Sequence, residues 1–171
     1  MSVVSHIRAI MLLPGVVLAV VPGIILYSSG TINFLWRQQP PFNALLLAVG
    51  SACIAFGLFL MARTISLFAG VGQGTLAPWE PPKKLVVQGI YRQVRNPMIS
   101  GVLFILCGES LIFGSTGILA WFLFFLWGNL IYIPILEEPG LEKRFGEDYT
   151  LYKKNVPRWI PRLHPWDQPA A

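Results

Sequence analysis

The chain has 171 residues, 54% of them hydrophobic and 12% charged, with a formal net charge of +5. A disordered chain needs low hydrophobicity and high charge, and a soluble domain carries roughly 25% charged residues, so the first is excluded and the second disfavoured. The basic residues fall between long apolar runs rather than in one patch, which argues against a nucleic-acid partner and for one integral membrane domain over residues 1–171.

Four apolar runs cover residues 9–27, 42–62, 97–113 and 117–136. Each approaches the ~20 residues that cross ~30 Å of hydrocarbon, the third being the shortest. The first run follows Arg8 as a signal peptide would. It is long for such a segment and lacks a cleavage site followed by soluble sequence, so it reads as an anchor. Only Gly114, Ser115 and Thr116 separate the third and fourth runs, which predicts a tight antiparallel helical hairpin. With both termini cytoplasmic, twelve of the 13 basic residues lie inside and only Arg37 outside. The positive-inside rule selects that orientation, in a bacterial inner membrane or endoplasmic reticulum alike. The expected fold is therefore all-α and polytopic, with about four transmembrane helices.

Between the second and third runs the loop is too long for a simple connector. Gly70, Gly72 and Gly74 precede Pro78, Trp79, Glu80, Pro81 and Pro82. Neither nucleotide-loop spacing is met, so a flexible turn followed by a stiff stretch is expected. Asn96 is then a good N-cap and Pro97 suits the first helical position. With Arg92 and Arg95 just before it, this helix start makes a site for a carboxylate or phosphate, or else a plain cap flanked by headgroup-binding arginines. Glu109 lies deep in the third run, roughly 18 Å from that end at helical rise. Cys53 and Cys107 read as packing residues, and His6 and His164 have no ligand motif, so no metal is expected.

Pro134 interrupts the fourth run, Glu137 and Glu138 follow it, and Pro139 is expected to stop the helix. Two carboxylates at a helix C-terminus oppose the macrodipole at ~0.3–1 kcal/mol each and repel one another beside hydrocarbon. A pair kept under those conditions points to use, with a solvated flank as the plainer alternative. Leu141, Phe145, Tyr149, Tyr152 and Val156 then follow a helical spacing, while charged residues fill the other face. They predict a cytoplasmic amphipathic C-terminal helix, followed over residues 157–162 by an irregular extended tail.

Residues 89–101 (GIYRQVRNPMISG) resemble the GxYRxxRHPxYxG signature of the membrane methyltransferases that include isoprenylcysteine carboxyl and phospholipid methyltransferases. Glu137, Glu138, Leu141, Phe145, Gly146, Tyr149, Tyr152, Val156, Arg158, Ile160 and Pro161 are similar to that family's second motif. Together the two motifs place the family-like region at residues 75–162.

The resemblance implies an S-adenosylmethionine site at the cytoplasmic ends of the last spans, closed by the C-terminal segment. It implies cofactor-binding roles for Tyr91, Arg95, Asn96, Pro97, Gly101, Glu137, Glu138, Tyr149 and Tyr152. The helix start and arginines suit the cofactor carboxylate, the glutamates its ribose or cationic groups, and the tyrosines its adenine or sulfonium. Arg158 and Glu138 are the catalytic candidates, Arg158 to orient an anionic acceptor or polarise the reacting centre. Two positions depart from the signature, Asn96 for histidine and Ile99 for tyrosine, and Asn96 cannot serve as a base near neutral pH.

The implied function is methyl transfer to a lipophilic acceptor, an isoprenylcysteine-like carboxylate or a lipid amine, at the cytoplasmic interface. The implied partners are that acceptor and membrane lipids, with no metal. The alternatives are an NADPH-dependent lipid or steroid reductase and a non-catalytic membrane protein with a basic lipid-binding face.

Overall fold

The computed structural model describes residues 14–29, 41–70 (backbone alone for 68–70) and 85–167. Arg8, Arg37, His6 and the glycine- and proline-rich stretch over 71–82 lie outside the described residues. The regular structure among the described residues is entirely helical.

Helix α1 (Val21–Ser29) is entered through a π-helical turn, Val16–Val20. Pro22 explains the turn, because its ring would strike the carbonyl four residues back in a regular α-helix. The wide turn has a consequence. The Val21 amide donates to the Val16 carbonyl, so the Val17 carbonyl is left to accept from Trp121 Nε1 at 3.1 Å.

Helices α2 (Phe42–Gly70) and α3 (Pro97–Phe113) make the most extensive contact in the molecule. Glycines set their separation. A Cβ at Gly57 would lie 2.5 Å from the Gly101 carbonyl oxygen, and one at Gly108 would lie 2.6 Å from that of Gly50. Both pairs are seven residues apart, two helical turns, and they match in opposite chain directions, so the helices are antiparallel with backbones almost touching. Cys53 and Cys107 meet across this contact as free thiols, in keeping with a packing role.

Gly114, at φ 56°, ends α3, and the Ser115 hydroxyl accepts from the Ile118 amide to cap α4 (Thr116–Tyr132). The expected tight hairpin is therefore present. Leu106 and Ile118 are fully buried, and a core of Met61, Val102, Ile105 and Leu106 is covered by Val17, Leu18, Trp121 and Phe125. The opposite face of α4 exposes Leu119, Leu123, Phe124, Trp127 and Ile131, a surface suited to acyl chains rather than water.

Two helical stretches are long and apolar enough to cross a membrane, Phe42–Leu67 and Thr116–Phe145. Val16–Ser29 and Pro97–Phe113 are apolar but shorter.

Two sequence expectations need correction. The fourth run does not stop at Pro139. It passes through a π turn, Ile133–Glu137, into α5 (Glu138–Phe145), with Pro139 in the first turn of α5, where a missing amide is tolerated. The paired carboxylates therefore lie inside a continuous helical rod, and the macrodipole argument against them does not apply. Nor is the C-terminal amphipathic helix a single element. Gly146, at φ 57° and ψ −131°, divides it into α5 and α6 (Glu147–Asn155), and that backbone conformation favours glycine. Tyr149, Tyr152 and Val156 still converge, forming a second core with Trp166 that Leu85, Val87, Leu141 and Phe145 cover.

The glycine contact yields a testable expectation. Gly57→Ala forces α2 and α3 apart and should cost about 1–3 kcal/mol, as overpacking does. Gly128→Ala, where nothing lies within 4 Å of the added carbon, should leave stability unchanged or raise it by up to about 1 kcal/mol. Heat-unfolding of both variants in mild detergent checks the contrast.

Candidate functional site

In an α-helix the residue four positions on from Ile133 would lie beneath it, and that residue is Glu137. The π turn changes the register by one. The Glu138 amide donates to the Ile133 carbonyl five residues back, and Ile133 and Glu138 are each only 1% exposed. Ile135 and Leu136 between them are 62% exposed. Pro134, which a regular helix would not tolerate at this point, is the local cause. It thereby decides which of the two adjacent carboxylates faces inward.

The buried Glu138 carboxylate meets three cations. Arg95 Nη1 donates to Oε1 at 2.6 Å. Arg158 bridges both oxygens, Nε to Oε1 at 2.7 Å and Nη2 to Oε2 at 2.9 Å. Lys153 Nζ lies 3.2 Å from Oε2 and also donates to Glu142 at 2.8 Å. A buried charge is tolerable only when paired and hydrogen-bonded in this way. Three cations against the Glu138 and Glu142 carboxylates leave one positive charge in excess. Hydrogen bonding to Glu138 also raises the Arg158 pKa above its ordinary value. Glu142 first, and then Glu138, raise that of Lys153.

The expected tail over residues 157–162 continues to 167 and forms a strap bound to the segment just before α3. The Arg95 amide donates to the Pro157 carbonyl, the Arg162 amide to that of Gln93 and the Trp166 amide to that of Arg92, at 2.8–3.0 Å. Arg95 Nε adds a bond to the Val156 carbonyl and Arg92 Nε one to Trp166, each at 2.8 Å, and Arg92 pairs with Asp167. Arg92 and Arg95 thus hold the protein's own chain. The Asn96 side chain makes no capping bond, although Asn96 occupies the N-cap and Pro97 follows it as expected.

The tyrosines surround this knot. The Tyr152 hydroxyl donates to the Tyr91 carbonyl at 2.7 Å, and the Tyr149 hydroxyl lies 3.5 Å from Arg95 Nη1. Tyr149 and Tyr152 meet edge to face, 6.1 Å apart. Burial raises all three phenol pKa values, with Thr64 hydrogen-bonded to Tyr91 and Arg95 beside Tyr149 pulling the other way, so the three stay neutral near pH 7. Glu137, half-buried, makes no ion pair among the described residues. Trp159 Nε1, in the strap beside Arg158, is a buried donor without a hydrogen-bond partner among the described residues.

Of the residues singled out in the sequence, Arg95, Glu138, Tyr149 and Arg158 meet directly, and Tyr91 and Tyr152 adjoin them. Gly101 lies elsewhere, against Gly57 in the α2–α3 contact. Sequence reasoning missed Lys153, which had read as part of a solvated face, and Trp166. The missing signal for Lys153 was the positive φ at Gly146, which turns α6 back toward Glu138.

The phospholipid methyltransferase family model matches residues 45–148, more than half of the chain, and the chain belongs to that family. It is an S-adenosylmethionine-dependent methyltransferase with a lipid acceptor, which removes the reductase and non-catalytic alternatives. The match reaches back through most of α2, beyond the region the motifs marked, and ends before Tyr149 and the strap. No curated protein and no solved structure matches.

The geometry separates the two glutamates experimentally. Glu138→Gln leaves Arg95 buried without its counter-charge and should cost about 3–5 kcal/mol. Glu137→Gln removes no ion pair seen here and should change stability by less than about 1 kcal/mol. Unfolding of the two variants in the same detergent measures the difference.

Proposed function

We propose that the chain carries its methyl donor at the cytoplasmic ends of α2–α5, with Glu137 as the cofactor-facing carboxylate and Glu138 as the charge that locks the strap beside it. The observation that carries this reading is the unequal state of the pair. Glu138 is saturated by three cations, whereas Glu137 keeps its charge unmatched among the described residues. The reading takes four crossings with both termini cytoplasmic, the orientation that puts twelve of the 13 basic residues on the inner side.

The donor set fits S-adenosylmethionine. Glu137 can face its ammonium or ribose hydroxyls. The Trp159 indole offers an orphaned donor to an acceptor atom, and the first turn of α3, uncapped by Asn96, offers amides to a carboxylate. When bound, the cofactor supplies an electrophilic methyl group on a sulfonium. The chain's task is to align an acceptor with that carbon and to exclude water. Tyr149, Tyr152 and Trp166 provide a buried aromatic wall, and the strap closes over it.

A carboxylate-bearing, isoprenylcysteine-like acceptor is favoured. Asn96 is no base, the buried phenols remain protonated, and a carboxylate nucleophile has no proton to lose. Arg158, 27% exposed, is the cation of the cluster open to an anionic acceptor group. A phospholipid amine is the second reading, favoured by the family's own description. It would call on Glu137 to take the proton.

Saturable stabilisation by S-adenosylhomocysteine, about 2.7 kcal/mol at a hundredfold excess over its Kd, is expected, with none from NADPH. Glu137→Gln should weaken that affinity tenfold or more. An unchanged affinity removes Glu137 from the cofactor site. Label transferred from methyl-labelled donor into the lipid extract should be released by mild alkali as volatile methanol, the leaving group of a methyl ester. Alkali-stable label would establish the amine instead.

A further inference from the structure

The strap carries two apolar side chains that the fold leaves uncovered. Ile160 is 80% exposed and Leu163 is 91% exposed. Neither belongs to the aromatic core that the strap helps to build through Trp166. Their position is nevertheless fixed. Arg158, two residues before Ile160, is held on Glu138, and the Arg162 amide is held on Gln93. Pro161 stiffens the segment between these attachments, and Pro157 and Pro165 flank it. Two apolar side chains are thus held at fixed positions in the open.

The attachments also set the depth. Glu138 follows Leu136, which is 62% exposed at the end of the lipid-facing face of α4 and its π turn. At ~1.5 Å rise per residue that places Glu138 about 3 Å beyond the apolar belt. Gln93 lies four residues before the first residue of α3. Ile160 and Leu163 are thus tethered, through Arg158 and Arg162, to residues at the adjoining ends of the apolar helices. Exposed Lys143 and Arg144 on α5 supply attraction for anionic headgroups.

We propose that residues 160–163 form a wedge inserted into the cytoplasmic leaflet, with Ile160 and Leu163 among the headgroups and upper acyl carbons beside the methyl-transfer site. The wedge rests on the membrane orientation proposed above and not on the identity of the acceptor. It makes the strap a two-sided element. Its inner side closes the site with Trp166, and its outer side keeps that closure at the surface from which a lipid acceptor arrives.

The test places a fluorophore at Leu163→Cys in a Cys53→Ala, Cys107→Ala background, one copy per nanodisc, with one lipid in five anionic. Phe124→Cys, 69% exposed on the acyl-facing side of α4, is the lipid reference, and Lys154→Cys is the water reference. The wedge predicts that lipid spin-labelled near the headgroup quenches Leu163→Cys at least half as strongly as Phe124→Cys, while aqueous iodide quenches it at least threefold less than Lys154→Cys. Iodide quenching equal to that of Lys154→Cys overturns the proposal. So does protection that appears only with two copies per disc, which assigns the surface to a second copy. In a parallel arm, Leu163→Asp should raise the KM for an isoprenylcysteine analogue bearing a free carboxylate at least fivefold and leave S-adenosylhomocysteine affinity unchanged. An unchanged KM overturns the functional half of the proposal. Loss of methyl transfer by every form, with lipid quenching intact, refutes the acceptor reading while the wedge stands.

Discussion

A carboxylate that is 1% exposed must be paired, and satisfying Glu138 organises the half of this molecule that carries the C-terminal segment. Its three cations come from three places, Arg95 before α3, Lys153 in α6 and Arg158 in the strap. None is a sequence neighbour, so a single buried charge fixes the end of the fourth apolar run, the start of the third and the C-terminal segment against one another. The backbone bonds from residues 92–95 to the strap reinforce the same arrangement. Removing the charge leaves Arg95, itself 9% exposed, without compensation.

That burial depends on a backbone device used twice. Pro22 and Pro134 each coincide with a π-helical turn in an apolar helix. In the first, the widened turn frees the Val17 carbonyl for Trp121 and ties α1 to α4. In the second, it replaces an i, i+4 relation by i, i+5 and brings Glu138 rather than Glu137 beneath Ile133. The inward carboxylate supports structure, and its neighbour is left without an ion pair among the described residues. A regular helix would reverse those roles. The proline is thus a determinant of the site although it carries no functional group.

Much of this was legible in the sequence. Apolar run length and the uncharged Gly114-Ser115-Thr116 link gave the helices and the hairpin, because both are local properties. The motif residues Arg95, Glu138, Tyr149 and Arg158, read together on resemblance and charge pattern, meet in the structure. What escaped were consequences of backbone geometry. Pro139 looked like a stop and is instead tolerated in the first turn of α5. Regular spacing from Leu141 to Val156 suggested one helix, but periodicity is blind to a single left-handed glycine. The arginines before α3 looked free for an anion, since sequence gives no account of which distant carbonyls they will meet.

The central claim is that the charge of Glu138 holds the strap in place. Hydrogen exchange measured amide by amide in a lipid nanodisc tests it most directly, with wild type compared with Glu138→Gln. The account predicts that the Arg95, Arg162 and Trp166 amides, bonded to Pro157, Gln93 and Arg92, lose protection together. The amides of α3 packed on Gly57 and Gly50 should keep theirs. Strap amides that stay as protected in the variant as in the wild type would contradict the account, and would mean that the aromatic core around Trp166 holds the segment without the charge.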